Sequence, residues 1–362
     1  MYNVMVAGAG KIGSIIACLL TGSRDYKVHL ADRVLTGADA VRVLRKMPEI
    51  QTATLNFKDC EAIKHYLTNN NIDAVISSLP FFLNTFVAEA AKAAGTHYFD
   101  LTEDTSTATA IKLLSSNSTT AFVPQCGLAP GFVSIAAHSL MREFDVCHIA
   151  KLRVGALPER TSNGLNYSLT WSTDGVINEY GNPCLGIEAG KHVIMPALAG
   201  LESIVIDGCE YEAFNTSGGV GSLGELYFGN IHTLNYKTIR YPGHCAKMRF
   251  LMNDLQLNSD RDTLKRILER AIPKTSQDMV IIYVTVEGIK DGELIEKSYV
   301  KKIYPQEIHG LQWSAIQIST AAGICFVVDK VLGSPKDYRG LVLQEKFLLT
   351  DVLTNRFGQY FS

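Results

Sequence analysis

The sequence predicts an α/β protein: a Rossmann doubly wound parallel sheet plus a second α+β domain with a mainly antiparallel or mixed sheet. In the first third of the chain, short β-branched runs alternate with helical runs, which is typical of a parallel sheet covered on both faces. A glycine-rich turn, Gly8 to Gly13, joins the first strand to the first helix. After about Cys147 the strand-like runs become longer and helices sparse, which indicates a different architecture.

The predicted elements follow in chain order. The strands of the first domain are predicted at 4–7, 27–31, 52–57, 74–76, 97–101 and 120–124, and its helices at 11–20, 38–45, 59–67, 83–94 and 105–114, with another helix after Gly131. In the second domain strands are predicted at 149–154, 166–171, 203–206, 279–286 and 294–304. Asp291-Gly292 between the last two strands predicts a hairpin, because both positions tolerate positive φ.

Helices complete the prediction. One amphipathic helix carries Leu264, Ile267, Leu268 and Ala271 on one stripe. A long, largely buried helix over 311–332 and a helix over 344–357 close the chain. We therefore expect a dinucleotide-binding domain at 1–131, a substrate and dimerisation domain at 132–309, and C-terminal helices at 310–362 that return to the first domain.

Composition excludes several functions. The net charge of −2 gives no electrostatic footprint for nucleic acid or an anionic membrane. The eight cysteines form no C-x-x-C pair, which favours reduced thiols over disulfides, and no metal-ligand spacing stands out. The apolar run at 311–332 is interrupted by polar residues, and no signal peptide precedes the first strand. These features predict a cytoplasmic protein with no membrane span and no metal.

The glycine motif predicts a dinucleotide site because a strand precedes it and a helix follows it. Gly8 permits the tight turn, Gly10 lets the backbone approach a pyrophosphate, and Gly13 lets the helix pack on the strand. Lys11 and Ile12 lie at the helix N-terminus, whose backbone N–H groups and dipole attract an anion.

The end of the second strand predicts the cofactor. Asp32 stands where a ribose-binding carboxylate is expected, and such a carboxylate accepts from the 2′-OH and repels a 2′-phosphate. Arg33 follows directly and is a candidate phosphate ligand. The pattern favours NAD, with NADP as the alternative.

Two further strand ends carry polar residues at the edge where open α/β sheets bind ligands. Ser78, Leu79 and Pro80 end one strand and are predicted to lie by the cofactor. Asp100 ends the next strand, and Glu103 and Asp104 follow it in the segment Asp-Leu-Thr-Glu-Asp at 100–104. Helix capping is the alternative role for these acids, because Asp favours N-caps and acids favour first turns.

The stretch PQCGLAPGF at 124–132 surrounds one cysteine with two glycines and two prolines. Cys126 and Gly127 are predicted to face the nicotinamide end of the crevice, where Gly127 and Gly131 would let the backbone pass close to a flat ring. A small packed thiol explains Cys126 better than a catalytic nucleophile does.

The second domain holds one dense polar cluster, Thr238 to His244. Arg240 is a candidate for bidentate binding of a substrate carboxylate. Tyr241 and His244 are candidate acids, bases or hydrogen-bond donors. A surface turn with a solvated arginine is the alternative, and the glycine-rich segment 216–221 is a candidate mobile loop at the mouth of a cleft.

Together these motifs resemble the saccharopine dehydrogenase-like family, and within it the lysine 6-dehydrogenases. The resemblance rests on the glycine motif, Ser78-Leu79-Pro80, the CGLAPG motif at 126–131 and the RYPGH motif at 240–244, and it covers nearly the whole chain. It implies an NAD(P)-dependent oxidoreductase that acts on a C–N bond of an amino acid, and a homodimer. It also implies Arg240 as carboxylate anchor and His244 as proton-transfer or substrate-binding group.

The resemblance leaves three points open. Asp100, Tyr241 and His244 all remain candidates for the base that takes the proton of the substrate ammonium. The reverse chemistry, reductive condensation as in saccharopine reductase or carboxynorspermidine synthase, would need a second carboxylate-binding cation; candidates are Arg153, Arg160, Lys191 and Lys237. A non-catalytic dinucleotide sensor is a third possibility, which the carboxylate anchor argues against.

Overall fold

The computed structural model describes all residues, Met1–Ser362, and the chain forms two compact units. The first unit contains Met1–Phe132, Glu307–Trp313 and Gln317–Ser362, and the second contains Val133–Gln306 and Ser314–Ile316. The predicted boundaries were 131 and 309, and the compact units divide at Phe132 and Gln306.

The first unit is a doubly wound parallel sheet. Its N-terminal strands are β1 (Tyr2–Ala7), β2 (Tyr26–Asp32), β3 (Gln51–Thr54), β4 (Ala74–Ser77), β5 (His97–Asp100) and β6 (Ala121–Val123). Its N-terminal helices are α1 (Lys11–Gly22), α2 (Ala38–Lys46), α3 (Cys60–Asn69), α4 (Asn84–Ala94) and α5 (Thr105–Leu114), with a 3₁₀ turn at Phe81–Leu83. The central strands are largely apolar, and all of β4 and the last four residues of β1 are buried, as helices on both faces require.

The second unit is built on a mixed sheet. Its helices are α6 (Phe132–Met141), α7 (Thr173–Gly181), α8 (Leu223–Tyr227), α9 (His244–Arg249) and α10 (Arg261–Ala271), with a π-helical turn at Phe250–Asp254 and a 3₁₀ turn at Leu257–Ser259. Its strands are β7 (Val146–Pro158), β8 (Cys184–Glu188), β9 (Lys191–Met195), β10 (Glu202–Ile206), β11 (Cys209–Asn215), β12 (Thr233–Arg240), β13 (Asp278–Lys290) and β14 (Glu293–Ile303). The order is β10-β11-β12-β7-β13-β14, with β8 paired to both β12 and β9. Only β12 and β7 run parallel, so the predicted mixed sheet and the hairpin at Asp291-Gly292 are confirmed.

The C-terminal part contains β15 (Gln306–Ile308), β16 (Leu311–Trp313), α11 (Ala315–Gly333), β17 (Gly340–Leu341) and α12 (Leu349–Thr354), with 3₁₀ turns at Pro335–Asp337, Gln344–Lys346 and Gly358–Phe361. Strand β17 joins the parallel sheet, whose order is β17-β6-β5-β4-β1-β2-β3. Helix α11 is long and apolar enough to cross a membrane by composition, but 78% of its most apolar window is buried within the protein, which is typical of a core helix.

Three element predictions were wrong. The segment 166–171 is irregular, because Leu169 donates to the Pro273 carbonyl and no strand pairs with it. The helix predicted from 311 begins at Ala315, since Leu311–Trp313 pair as a strand. The helix predicted over 344–357 is a 3₁₀ turn followed by the short helix α12, with extended backbone at Phe347 and Leu348 between them.

Candidate functional site

The glycine turn after β1 has the geometry of a dinucleotide-binding loop. Gly8 has φ +101°, and a Cβ added there would lie 2.8 Å from the Ser78 hydroxyl. A Cβ on Gly13 would lie 1.8 Å from the Gly8 carbonyl oxygen, so the helix can pack on the turn only through glycine. Gly10, the N-cap of α1, faces open space, and no side chain caps the helix. The N-terminus of α1, at Lys11 and Ile12, therefore borders this open space with the positive end of its helix dipole, and the site fits a dinucleotide.

Asp32 lies at the end of β2, directly beside this turn. Its Oδ2 accepts the Ala9 N–H at 2.6 Å and its Oδ1 accepts the Arg33 N–H at 2.6 Å. The carboxylate thus holds the glycine turn against β2. The exposed Arg33 side chain forms no ion pair, so the same strand end offers both a carboxylate and an unpaired cation to a ribose.

We expect Asp32→Ala to weaken NAD binding about tenfold and NADP binding less. Loss of the carboxylate removes a hydrogen bond that holds the glycine turn, which weakens binding of both cofactors. It also removes a negative charge that repels the 2′-phosphate of NADP, so NADP binding is weakened less. Dissociation constants measured calorimetrically for NAD and NADP check this. Equal losses would mean that Asp32 serves the turn alone and does not contact the ribose.

The end of β4 touches the glycine turn. The Ser78 hydroxyl lies 3.0 Å from the carbonyl oxygens of Ala7 and Gly8, to which it donates. Leu79 packs on the core of the first unit, and Pro80 is exposed and precedes the 3₁₀ turn. Of these predicted cofactor residues, Ser78 is therefore the one that the structure places against the glycine turn.

Asp100 is fully buried at the tip of β5 and is committed to the fold. It accepts hydrogen bonds from the Tyr98 hydroxyl at 2.8 Å, the Thr102 N–H at 2.9 Å and the Gln125 N–H at 3.0 Å. These bonds fasten the ends of β5 and β6 together. Burial raises the pKa of Asp100, while the bonds from Thr102, Gln125 and Tyr98 oppose that rise. The structure thus gives Asp100 a structural role, and its role as a base stays a prediction.

The two acids after Asp100 differ from each other. Asp104 is the N-cap of α5, where its Oδ1 accepts the Thr107 N–H at 2.7 Å, so capping is confirmed for this residue. Glu103 caps nothing and forms no hydrogen bond or ion pair with another residue.

Cys126 is fully buried and packed against the chain. Its thiol donates to the Val123 carbonyl at 3.0 Å, and Gln344 Nε2 donates to its sulfur at 3.4 Å. Burial raises the pKa of the thiol well above its ordinary value, with the Asp100 charge adding to the rise. A neutral thiol held by two partners is a packing group, which is the interpretation that the sequence favoured.

The glycines around Cys126 serve packing within the first unit. Gly131 has φ +136°, and a Cβ there would lie 2.1 Å from the Gly127 carbonyl oxygen. A Cβ on Gly323 of α11 would lie 2.8 Å from the same oxygen. The loop therefore packs tightly against itself, at Gly127 and Gly131, and against α11, at Gly323. This contact accounts for the backbone freedom that the sequence analysis assigned to a cofactor ring, and contact of Gly127 with the cofactor stays a prediction.

In the second unit, Arg240 and His244 are joined through Tyr180. Arg240 Nε donates to the Tyr180 hydroxyl at 2.8 Å, and that hydroxyl lies 3.1 Å from His244 Nε2. His244 Nδ1 lies 2.8 Å from the Leu165 carbonyl, which can only accept, so Nδ1 carries the proton and Nε2 accepts from Tyr180. This network is fully buried, and the rings of Tyr167 and Phe214 enclose it.

The Arg240 guanidinium, 2% exposed, has no carboxylate in an ion pair. Its Nη1 donates to the Ile239 carbonyl at 2.8 Å. Burial would lower its pKa, but the phenol rings of Tyr180 and Tyr167 and the charge of Glu179 hold the pKa above its ordinary value. The guanidinium is therefore a buried cation with N–H groups that no protein anion accepts.

Arg153, on neighbouring β7, shows the usual arrangement of a buried arginine. Its Nε pairs with Glu202 at 2.5 Å, and its Nη1 donates to the Asn235 side chain at 2.8 Å. Lys237 binds the other oxygen of Glu202 at 2.6 Å. Two of the candidate second cations are thus already paired with one protein carboxylate, whereas Arg240 is paired with none.

His244 cannot act as a cation at ordinary pH. Burial, with the charges of Arg240 and Lys247, lowers its pKa to about 3, which the bond to Leu165 only partly opposes. Its two ring nitrogens already have partners in the fold. His244 therefore orients Tyr180, and a role in proton transfer stays a prediction.

We expect acid to destabilise the protein partly through His244. The unfolded imidazole binds a proton near pH 6.5 and the folded one only near 3, so the free energy of unfolding falls as pH drops from about 6.5. The contribution approaches about 1.4 kcal/mol per pH unit. Urea unfolding at pH 7 and pH 5 should show a smaller pH dependence for His244→Gln than for the wild type. The same change at the exposed His65 should leave the dependence as it is; an unaltered dependence in His244→Gln would contradict the assignment.

Tyr241 does not join this network, because successive residues of a strand face opposite sides of the sheet. Its hydroxyl donates to the Pro158 carbonyl at 2.9 Å, and its ring lies 5.7 Å from that of Tyr211. It lines an open cavity of about 560 Å³ together with Arg160, Asn166 and Pro242. The predicted RYPGH cluster is thus divided between two faces of the sheet.

Sequence reasoning missed the partners of Arg240. Tyr180 and Glu179 lie on α7, Tyr167 lies in the irregular segment, and Phe214 lies on β11. No local pattern marks them, because they meet Arg240 only when the strands and helices of the unit pack. The loop 216–221, predicted as a candidate mobile loop, contacts the rest of the unit: Ser217 donates its N–H to the Glu179 carbonyl, and Gly219 packs on the Tyr236 ring.

Residues 4–123 match the saccharopine dehydrogenase NADP binding domain, and residues 127–359 match the saccharopine dehydrogenase C-terminal domain. The chain belongs to the saccharopine dehydrogenase family. This membership confirms the predicted saccharopine dehydrogenase-like family, and it confirms an NAD(P) cofactor for the first unit, where the glycine turn fits one.

One relative and two solved structures are similar to this chain. The saccharopine dehydrogenase (NADP(+), L-glutamate-forming) of Saccharomyces cerevisiae is 28% identical over 187 residues, which are 48% of this chain and 40% of that protein, so the match spans about two-fifths of the relative's length. The apo structure of saccharopine dehydrogenase (L-Glu forming) from Saccharomyces cerevisiae superposes with a TM-score of 0.77 at 18% identity, covering 95% of this chain and 94% of that one. The homospermidine synthase of Legionella pneumophila in complex with NAD gives a TM-score of 0.67 at 12% identity, covering 99% and 89%. These structures confirm the predicted α/β fold.

Proposed function

We propose that this family member is an NAD(P)-dependent oxidoreductase that acts on the C–N bond of a diamino acid, as a lysine 6-dehydrogenase does. The observation that carries the proposal is Arg240, a buried guanidinium that forms no ion pair with a protein carboxylate. A buried charge is costly unless an opposite charge neutralises it, and Arg binds carboxylates through two parallel N–H bonds. An amino-acid carboxylate would supply the negative charge and the two acceptor oxygens that the Arg240 guanidinium needs.

The rest of the network supports this role. Tyr180 and His244 fix the guanidinium plane through one bond to Nε, and the Tyr167 ring lies 5.1 Å from the guanidinium carbon. Nη2 has no protein acceptor. A rigid cation positions one end of a substrate, which lets binding energy orient the amine at the other end.

The first unit would hold the cofactor through the glycine turn, the N-terminus of α1 and the β2 end at Asp32 and Arg33. When bound, a nicotinamide dinucleotide supplies the acceptor for hydride leaving the amine-bearing carbon. The chain must orient the amine, exclude water during transfer and remove one proton from the ammonium. Water then hydrolyses the substrate imine to an aldehyde.

A reductive condensation of an amine with an aldehyde is the second candidate. The observation that favours it is the cavity at Tyr241, because Arg160 in its lining forms no ion pair and would bind a second carboxylate.

The purified protein with NAD or NADP and a panel of amines tests the proposal by absorbance of the reduced cofactor. We expect turnover of lysine and at least about a hundredfold lower kcat/KM for cadaverine, which is lysine without its carboxylate, because Arg240 would lose its partner. Reaction only with reduced cofactor and aldehyde–amine pairs would favour the condensation. No change in cofactor absorbance in either direction, with cofactor binding shown by calorimetry, would favour a dinucleotide sensor.

A further inference from the structure

We propose that Glu103 is the group that accepts the proton of the substrate ammonium, an inference that rests on the proposed function. Each of the three candidate bases of the sequence analysis already has hydrogen-bond partners within the fold. Asp100 is taken up by three hydrogen bonds, the His244 nitrogens both have partners, and the Tyr241 hydroxyl donates to Pro158. A fourth group must therefore be found among the titratable residues of the cofactor edge.

Glu103 lies on the correct edge of the sheet. Dinucleotides bind across the carboxyl ends of the strands, and with Asp32 at β2 marking the adenosine half, the nicotinamide half is that of β4, β5 and β6. Glu103 follows the central one of these three strands. Asp100 pairs in register with Ser77 of β4, and it accepts hydrogen bonds from the Gln125 and Cys126 N–H groups just after β6. The start of the segment that leads to Glu103 is therefore fixed between β4 and β6.

The hydrogen bonds of this segment separate Glu103 from the other acids. Asp100 fastens the strand ends and Asp104 caps α5, so both carboxylates are used by the fold. Glu103 is partly buried, and its carboxylate is engaged only by its own backbone N–H. It is the acid of the segment that has no task in holding the structure.

The electrostatic setting suits a base at neutral pH. Burial raises the pKa of Glu103 to about 7; its own backbone N–H opposes this, and the charges of Asp104 and Asp100 add to it. These two carboxylates are the charged groups that act on it, and no cation neutralises it. A base is most effective when its pKa lies near the working pH, since it is then both deprotonated and able to bind a proton.

The step balances as follows. The ammonium R–CH2–NH3⁺ gives one N–H proton to the Glu103 carboxylate and becomes the free amine. The amine-bearing carbon then loses hydride to the oxidised nicotinamide dinucleotide, and the nitrogen lone pair forms the C=N bond of the iminium R–CH=NH2⁺. Glu103 releases its proton to solvent after the iminium is hydrolysed. For the reductive direction the same carboxyl acts as the acid.

The pH profile of kcat/KM tests the proposal. With lysine or another active amine, kcat/KM of the wild type should rise about tenfold per pH unit and level off near pH 7. At pH 7, kcat/KM of Glu103→Gln should be about a hundredfold or more below that of the wild type. Its rate should then keep rising toward pH ~10, because only amine already deprotonated in solution can react. Glu61→Gln, the same change at an exposed helix position paired with Lys64, should match the wild type.

A direct titration gives a readout that does not depend on turnover. In protein labelled with ¹³C at the glutamate carboxyls, one resonance should titrate near pH 7 and be missing in E103Q. Its midpoint should fall with NAD⁺ or NADP⁺ compared with the reduced cofactor, because the oxidised ring carries a positive charge.

The outcomes separate the two claims. An active wild type whose E103Q variant keeps the same rate and the same break in the profile would overturn the role of Glu103 alone. So would a carboxyl that titrates near the ordinary value of ~4.3 or ignores the cofactor's oxidation state. A wild type that oxidises no amine, and makes none by reduction, would overturn the proposed function and this role with it.

Discussion

Gly13→Ala is expected to destabilise the first unit strongly and to abolish cofactor binding. Alanine in a helix is ordinarily more stable than glycine by about 1 kcal/mol. Here its Cβ would lie 1.8 Å from the Gly8 carbonyl oxygen and 2.5 Å from the Ser78 hydroxyl. Either the turn or the helix must move, at a cost of about 3 kcal/mol or more in the free energy of unfolding.

Gly10→Ala is the matched variant that separates folding from binding. Gly10 has φ −76° and ψ −165°, which an alanine adopts easily, and nothing lies within 4 Å of the added Cβ. We expect its thermal unfolding to equal that of the wild type, while the dissociation constants for NAD and NADP rise at least tenfold, because the Cβ occupies the approach of the pyrophosphate. Calorimetric titration beside thermal unfolding measures both. Normal cofactor affinity in Gly10→Ala would remove the glycine turn from the binding site.

Arg240→Ala is expected to raise the KM for substrate by about a hundredfold or more and to lower stability by about 1–3 kcal/mol. The stability loss follows from burial, since removal of the side chain leaves the Tyr180 hydroxyl and the Ile239 carbonyl without their donor. The KM effect follows from loss of the cation proposed to bind the carboxylate. Cofactor affinity should be unchanged, because Arg240 belongs to the second unit and the glycine turn to the first.

Arg153→Ala is the control for the cost of losing a buried arginine. Arg153 is as buried as Arg240 and lies on the adjacent strand, but its partner is Glu202. It should lose comparable stability and keep the wild-type KM. Arg240→Lys, which keeps the charge but loses the planar fork, should fold well and still show a raised KM. If the Arg240 variants lost stability but bound substrate normally, Arg240 would be a structural cation only.

The periodic patterns of the sequence were sufficient for much of the first unit. The strand preceding Gly8, the helix following Gly13 and the acid at Asp32 are all local features, and each was found where it was expected. The hairpin at Asp291-Gly292 was predicted for the same reason, since the turn conformation depends on those two residues. Element prediction failed at 166–171 and 344–357, where tertiary contacts overrode the local preference.

The sequence by itself determined the fold class, the glycine turn and the residue types available for chemistry, because strand and helix periodicity and turn conformation act over a few neighbouring residues. Only the tertiary structure decided how those residues are used. The bonds that occupy Asp100 come from both sides of it in the chain, and Arg240 meets Tyr180 across 60 residues. Hydrogen-bond partners and burial depend on which segments cross in space. They alone distinguish Arg153 from Arg240 and Asp100 from Glu103.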